Sequence, residues 1–218
     1  VTEKKTFPDV RPLVFLISSG TLTDGNFRSS SEALVKKLRN AAICGVDVIQ
    51  IREKQLSISN LTDFVVEVVG AVSDTDCLVT VNERFDVAMV SGAHGVHLTA
   101  SSIPGDVVRA KVPEGFVIGK STHHTSEIET AKSFADYVFY SPIFETRSKM
   151  GVSEVKGVDD LKRAVAAGSP MSVIALGGIQ TSNIRDVART GVAGIAGISI
   201  FDSDEIQETL KVIRSEFE

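Results

Sequence analysis

Eight short apolar runs, rich in Val and Ile and almost free of polar alternation, constrain this chain more than any other feature. They are Leu13–Ser18, Val46–Glu53, Cys77–Asn82, Gly95–Thr99, Val117–Thr122, Tyr137–Ile143, Ser172–Gly178 and Gly194–Ile200. Runs of this kind suit strands covered on both faces, as in parallel sheets. The segments between them carry helical signals. "SSSEALVKKLRNAA" opens on serines that predict an N-cap and sets Leu34, Leu38 and Ala41 on one face. "TSEIETAKSF" predicts a capping box from Ser126 and Glu129. "TSNIRDVART" and "DSDEIQETLKVI" also begin with cap residues. Gly45, Gly92 and Gly191 stand where a helix ends in a left-handed residue before the next strand. Eight strand–helix units without a linker predict a single-domain (β/α)8 TIM barrel over residues 1–218. A doubly wound open sheet is the alternative. Glycines clustered after the last two runs favour the barrel, where phosphate commonly binds.

Bulk properties exclude several classes. A net charge of −5 over 218 residues argues against a nucleic-acid or anionic-membrane partner. An anionic substrate then needs a local cluster of Lys and Arg. No run approaches the ~18 apolar residues of a membrane span, and "VTEKKTFPDV" has no signal-peptide core. Cys44 and Cys77 lie in apolar surroundings at no metal-ligand spacing, which predicts buried thiols in a reducing compartment. The expected location is the cytoplasm.

In a barrel, chemistry belongs to the carboxyl ends of the strands and the loops after them. "GKST" invites comparison with a nucleotide phosphate loop, but the required first glycine is Glu114, and the motif lies inside a strand. Period-2 alternation places Gly119, Ser121 and His123 on one face and sends Lys120 outward. Position leaves His123 open between a proton carrier near neutral pH and a simple cap. Gln50, Arg52 and Lys54 alternate onto one face of the second strand and its exit, and inward cations need an anion. The opposite placement would make Ile49 and Ile51 the barrel lining. Thr146, Ser148 and Lys149 offer hydroxyls and an ammonium after the sixth strand. Gly177 and Gly178, with the amides near Ile198 and Ser199, can form a phosphate nest.

"VIQIREK", "VNERFDVAM", "GAHGVHL", "GKSTHHTSEIETA", "ADYVFYSPIFETRSKMG", "VIALGGI" and "GIAGISIF" together resemble the thiamine phosphate synthase / TenI family from about Leu13 to Phe201. The resemblance implies a (β/α)8 barrel handling a carboxylated thiazole phosphate. Gln50, Arg52, Lys54 and Asn82 match its pyrophosphate and substrate-binding positions. Ser121, Thr146, Ser148 and Lys149 match binding positions around strands five and six, and Gly178 and Ser199 the thiazole-phosphate cup. His123 matches the proton-transfer histidine of the tautomerase branch, although synthases often carry a histidine there too.

The synthase pattern holds Mg2+ with an Asp after Asn and an Asp in "GQxD". This chain has Glu83 and, in "TASS", Ser102 at those positions. "FETxxKxG" is closer to the tautomerase version. The resemblance therefore implies a thiazole tautomerase, an isomerase without cofactor, with His123 and Lys54 catalytic. The alternative is a thiamine phosphate synthase that joins hydroxymethylpyrimidine pyrophosphate to thiazole phosphate with Mg2+ on Glu83. A third reading is a non-catalytic thiazole-phosphate binding or regulatory protein. The expected partner is a small phosphorylated heterocycle, with no nucleic acid or membrane; a homo-oligomer stays open.

Overall fold

The computed structural model describes residues 5–146, 155–202 and 205–218. Eight parallel strands close on themselves in chain order, β1 pairing with both β2 and β8. They are β1 Leu13–Ile17, β2 Val48–Ile51, β3 Leu78–Asn82, β4 Gly95–Leu98, β5 Val117–Thr122, β6 Tyr137–Tyr140, β7 Ser172–Leu176 and β8 Gly194–Gly197. The helices between and after them are α1 Phe27–Cys44, α2 Ile58–Ala71, α3 Phe85–Val90, α4 Gly105–Arg109, α5 Thr125–Ala131, α6 Gly157–Gly168, α7 Ile184–Ala188 and α8 Ile206–Phe217. This is the (β/α)8 barrel expected from the repeated apolar runs. Among the described residues no helix is long and apolar enough to cross a membrane.

The strands are mostly apolar because they bury two faces. Val14, Leu16, Ile49, Ile51, Val79 and Val81 belong to the outer layer packed with the helices. Leu13, Phe15, Ile17, Val48, Tyr137 and Phe139 fill the inside. Alternation thus settles strand β2: Ile49 and Ile51 face outward, and Gln50 faces in. Helix α2 shows how the outer layer is held. Leu61, Phe64, Val65 and Val68 recur at helical spacing and are buried. Each contributes roughly 1.5–3 kcal/mol by leaving water. The Ser57 side chain caps its first turn.

Several helix starts differ from expectation. The serines of α1 lie within the helix, which begins at Phe27 after Asn26. Asn26 accepts through Oδ1 from the Thr23 amide and fixes that turn before the serines are reached. In α5 the reach-back belongs to Glu127, whose carboxylate accepts from the amides of His123 and His124. That places the cap at His124, and it leaves Ser126 inside the helix. Gly45, Gly92 and Gly191 are left-handed as expected. Both cysteines are free, but only Cys77 is fully buried. Cys44 closes α1 and is only partly buried.

The barrel floor is aromatic. Phe15 meets Tyr137 at 4.8 Å and Phe139 at 5.2 Å. Phe7, from the segment before β1, stacks on Tyr137 with rings 2° apart. Gln50, Asn82, His97 and Ser121 lie in the carboxyl halves of their strands.

Candidate active site

At the ends of β2 and β3 three interior side chains form one ordered chain. Glu83 follows β3 with φ of 64°, a left-handed backbone unusual for a non-glycine residue and frequent at functional sites. Its Oε2 accepts from Asn82 Nδ2 at 3.0 Å. Its Oε1 accepts from Ser101 Oγ at 2.7 Å and from Thr99 Oγ1. The Lys54 ammonium lies 3.5 Å away. The two hydroxyl donors, with Lys54 adding to them, hold the Glu83 carboxyl down at about 2, so it is ionised at neutral pH.

An ionised carboxylate only accepts, which fixes everything behind it. Asn82 must turn its amide nitrogen to Glu83 and its oxygen to Gln50. Gln50 then donates through Nε2 at 3.1 Å, leaving Gln50 Oε1 aimed elsewhere. That oxygen is buried and has no hydrogen-bond partner among the described residues. A buried, unpaired acceptor is costly unless a ligand completes it. Arg52, Lys54, Asn82, Glu83 and Arg84 line a cavity of about 260 Å³ that also reaches Ile51 and Leu61 of the outer layer and meets Gln50 only through Asn82. Glu53, between the two cations, turns away and accepts from the Gly20 and Leu22 amides, anchoring the loop after β1.

On β5 the alternation places Ser121 inside, where its Oγ meets His97 Nε2 at 2.8 Å. His97 in turn meets the Tyr137 hydroxyl through Nδ1 at 3.2 Å. Lys120 takes the other face and donates to the Thr99 carbonyl at 2.7 Å. His123 Nδ1 lies 2.7 Å from the Ser141 carbonyl. A carbonyl only accepts, so Nδ1 carries the hydrogen and Nε2 remains the chemically available nitrogen.

After β7, Gly177 and Gly178 have φ of 100° and 67°. Their glycine character also answers crowding: a Cβ on Gly178 would lie 2.5 Å from the Glu145 carbonyl oxygen. The carbonyls of Leu176, Gly177 and Gly178 accept from Ile143 N, Phe144 N and Asn183 Nδ2. Peptide planarity turns the following amides the opposite way. A short 3-10 turn, Ser199–Phe201, follows β8 directly after Ile198. The Gly177–Gly178 and Ile198–Ser199 backbones thus stand on neighbouring strand ends, as a phosphate nest requires. Thr146 Oγ1 is buried without a partner among the described residues. Ser148 and Lys149 lie outside the described residues.

Reading the sequence alone passed over Thr99 and Ser101, and His97 with Tyr137. Parity could have exposed His97, because Val96 and Leu98 face the helices and the residue between them must face in. The hydroxyls of "TASS" were legible only as substitutes for an acid. The Glu83 carboxylate shows what they do.

Comparison with known proteins bears on all of this. A family model described as thiamine monophosphate synthase matches residues 21–201. A thiamine-phosphate synthase of Methanoculleus marisnigri is 41% identical over 162 residues, covering 74% of this chain and 76% of the relative. One of Archaeoglobus fulgidus is 36% identical over 178 residues, covering 82% of each. A solved thiamine phosphate pyrophosphorylase from Pyrococcus furiosus superposes with a TM-score of 0.78 at 27% identity, covering 94% of this chain and 95% of that one. These relatives overturn the tautomerase expectation, and with it the isomerase class. Their names are those of a transferase. The "TASS" departure misled because it sits in a turn after β4, where sequence varies without a change of chemistry; "FETxxKxG" runs beyond the described residues.

Proposed function

The chain belongs to the thiamine monophosphate synthase family, and on that premise we propose that it joins hydroxymethylpyrimidine pyrophosphate to thiazole phosphate. The thiazole ring nitrogen forms a bond to the pyrimidine methylene carbon. The carbon–oxygen bond breaks and pyrophosphate leaves with the electron pair. The nitrogen becomes quaternary, so no proton need be removed from it. Catalysis then rests on holding two rings in line and stabilising charge on the departing pyrophosphate.

The observation that carries this reading is the buried, unpaired Gln50 Oε1, linked through Asn82 to the cavity that Arg52 and Lys54 line. The oxygen suits the amino group of an aminopyrimidine, and the cations suit its pyrophosphate. Ser121 adds a hydroxyl, and Asn82 keeps Gln50 in its orientation. His123 acts through Nε2 as a hydrogen-bonding group at a ring edge. The Gly177–Gly178 and Ile198–Ser199 amides hold the thiazole phosphate, with Thr146, Ser148 and Lys149 as further substrate-binding residues.

Mg2+ takes oxygen ligands, usually one or two carboxylates with substrate phosphates and water. Among the described residues no three His, Cys, Asp or Glu side chains cluster, yet Glu83 with the Thr99 and Ser101 hydroxyls is an oxygen set of suitable character. These residues fit the protein's smaller share of such a site. When bound, the ion would neutralise charge on the pyrophosphate. We place the reaction in the cytoplasm, in keeping with two free thiols. Pyrophosphate release that requires both substrates tests the reading.

A further inference from the structure

Resting on that reading, we propose that His97 is a positioning residue: Tyr137 fixes its proton on Nε2, and this turns the Ser121 hydroxyl hydrogen toward an anionic substrate oxygen. The three groups form one line through the barrel, with Tyr137 OH 3.2 Å from Nδ1 and Ser121 Oγ 2.8 Å from Nε2. His97 is 1% exposed and its ring lies 4.2 Å from that of Phe139. Enclosed between the Tyr137 and Phe139 rings, the imidazole is neutral and carries one hydrogen.

Two arrangements satisfy these contacts. In one, Nδ1–H donates to Tyr137, and Ser121 donates to Nε2. Ser121 then presents only lone pairs to the mouth and repels an anion. In the other, Tyr137 donates to Nδ1, Nε2–H donates to Ser121, and the serine hydrogen is free for substrate. The ring has one lone-pair nitrogen for two competing hydroxyls; the Thr80 hydroxyl lies beside the Tyr137 oxygen as a donor, which leaves the phenol hydrogen for Nδ1, while the Ser121 hydrogen has the barrel mouth open to it. The second arrangement therefore prevails, since the hydrogen bond at one ring nitrogen sets the proton on the other. The space around the line is closed. A Cβ on Gly119 would stand 2.2 Å from the Tyr137 ring and 2.6 Å from His97 Nδ1, so nothing larger than glycine admits this geometry.

The test is nitrogen-15 NMR of histidine-labelled free protein, with calorimetric titration of inorganic pyrophosphate into wild type, Tyr137→Phe, Ser121→Ala and the double variant. We expect a protonated Nε2 on His97. We also expect pyrophosphate affinity to fall about tenfold in Tyr137→Phe, with no further fall when that change is added to Ser121→Ala. A hydrogen on Nδ1 overturns the proposal, as does an equal loss from Tyr137→Phe in both backgrounds. Absence of pyrophosphate binding in wild type would count against the synthase reading, while the tautomer still decides the role of His97.

Discussion

Gln50 gives its amide hydrogen to Asn82 over 3.1 Å and keeps its oxygen buried and unspent. The pair converts the charge of Glu83 into a fixed acceptor two side chains away. Replacing Gln50 with Met keeps the volume and removes the acceptor. The KM for the pyrimidine pyrophosphate should rise at least about tenfold, as expected for a lost buried hydrogen bond to substrate. The KM for thiazole phosphate should stay near wild type. Steady-state kinetics with each substrate varied in turn checks this.

Thr99 and Ser101 orient Glu83. Partners that orient a ligand typically matter by 10–100-fold in metal affinity or activity. Thr99→Val should therefore raise the Mg2+ concentration for half-maximal rate by about that factor. Glu83→Gly suits the left-handed backbone, deletes the carboxylate, and should fold while losing the Mg2+ response. Mg2+ titrations of rate beside thermal melts separate these effects.

Gly178 combines a positive φ with a tight approach to Glu145. Gly178→Ala should cost at least ~1–2 kcal/mol from the left-handed backbone alone and weaken thiazole phosphate binding. Urea unfolding and phosphate-ligand titration read the two consequences.

His97 is buried and His94 half-buried; both are neutral, held down to about 3 and about 4 mainly by desolvation. The unfolded chain protonates both near 6.5, so it binds more protons than the folded chain below that pH. Their contribution is full above about 6.5 and is lost as pH falls toward 4 and 3. Stability should fall by up to ~1.4 kcal/mol per pH unit for each group within its window. His97→Asn should flatten part of that slope. Urea unfolding between pH 7 and 4 measures it.

The fold was legible because both faces of every strand are buried, so the apolar runs carried no ambiguity about class. Alternation correctly sent Ser121 inward and Lys120 outward, and the twin glycines marked a real close approach. What escaped depends on partners distant in sequence. His97 acquires its meaning from Ser121, 24 residues away, and Tyr137, 40 away. A lone histidine in an apolar strand reads as core. The left-handed backbone of Glu83 has no signal in a residue type that rarely adopts it. The caps of α1 and α5 shifted because Asn26 fixes the turn at Thr23 and Glu127 reaches back to the His123 and His124 amides, so each helix starts before the serines are reached.

The account rests on a joining reaction, and product stoichiometry tests it most directly. The protein is mixed with hydroxymethylpyrimidine pyrophosphate, thiazole phosphate and Mg2+, and thiamine phosphate and pyrophosphate are measured together. The account predicts equal amounts of the two, and neither when one substrate is omitted. No thiamine phosphate from both substrates with Mg2+ present would contradict it.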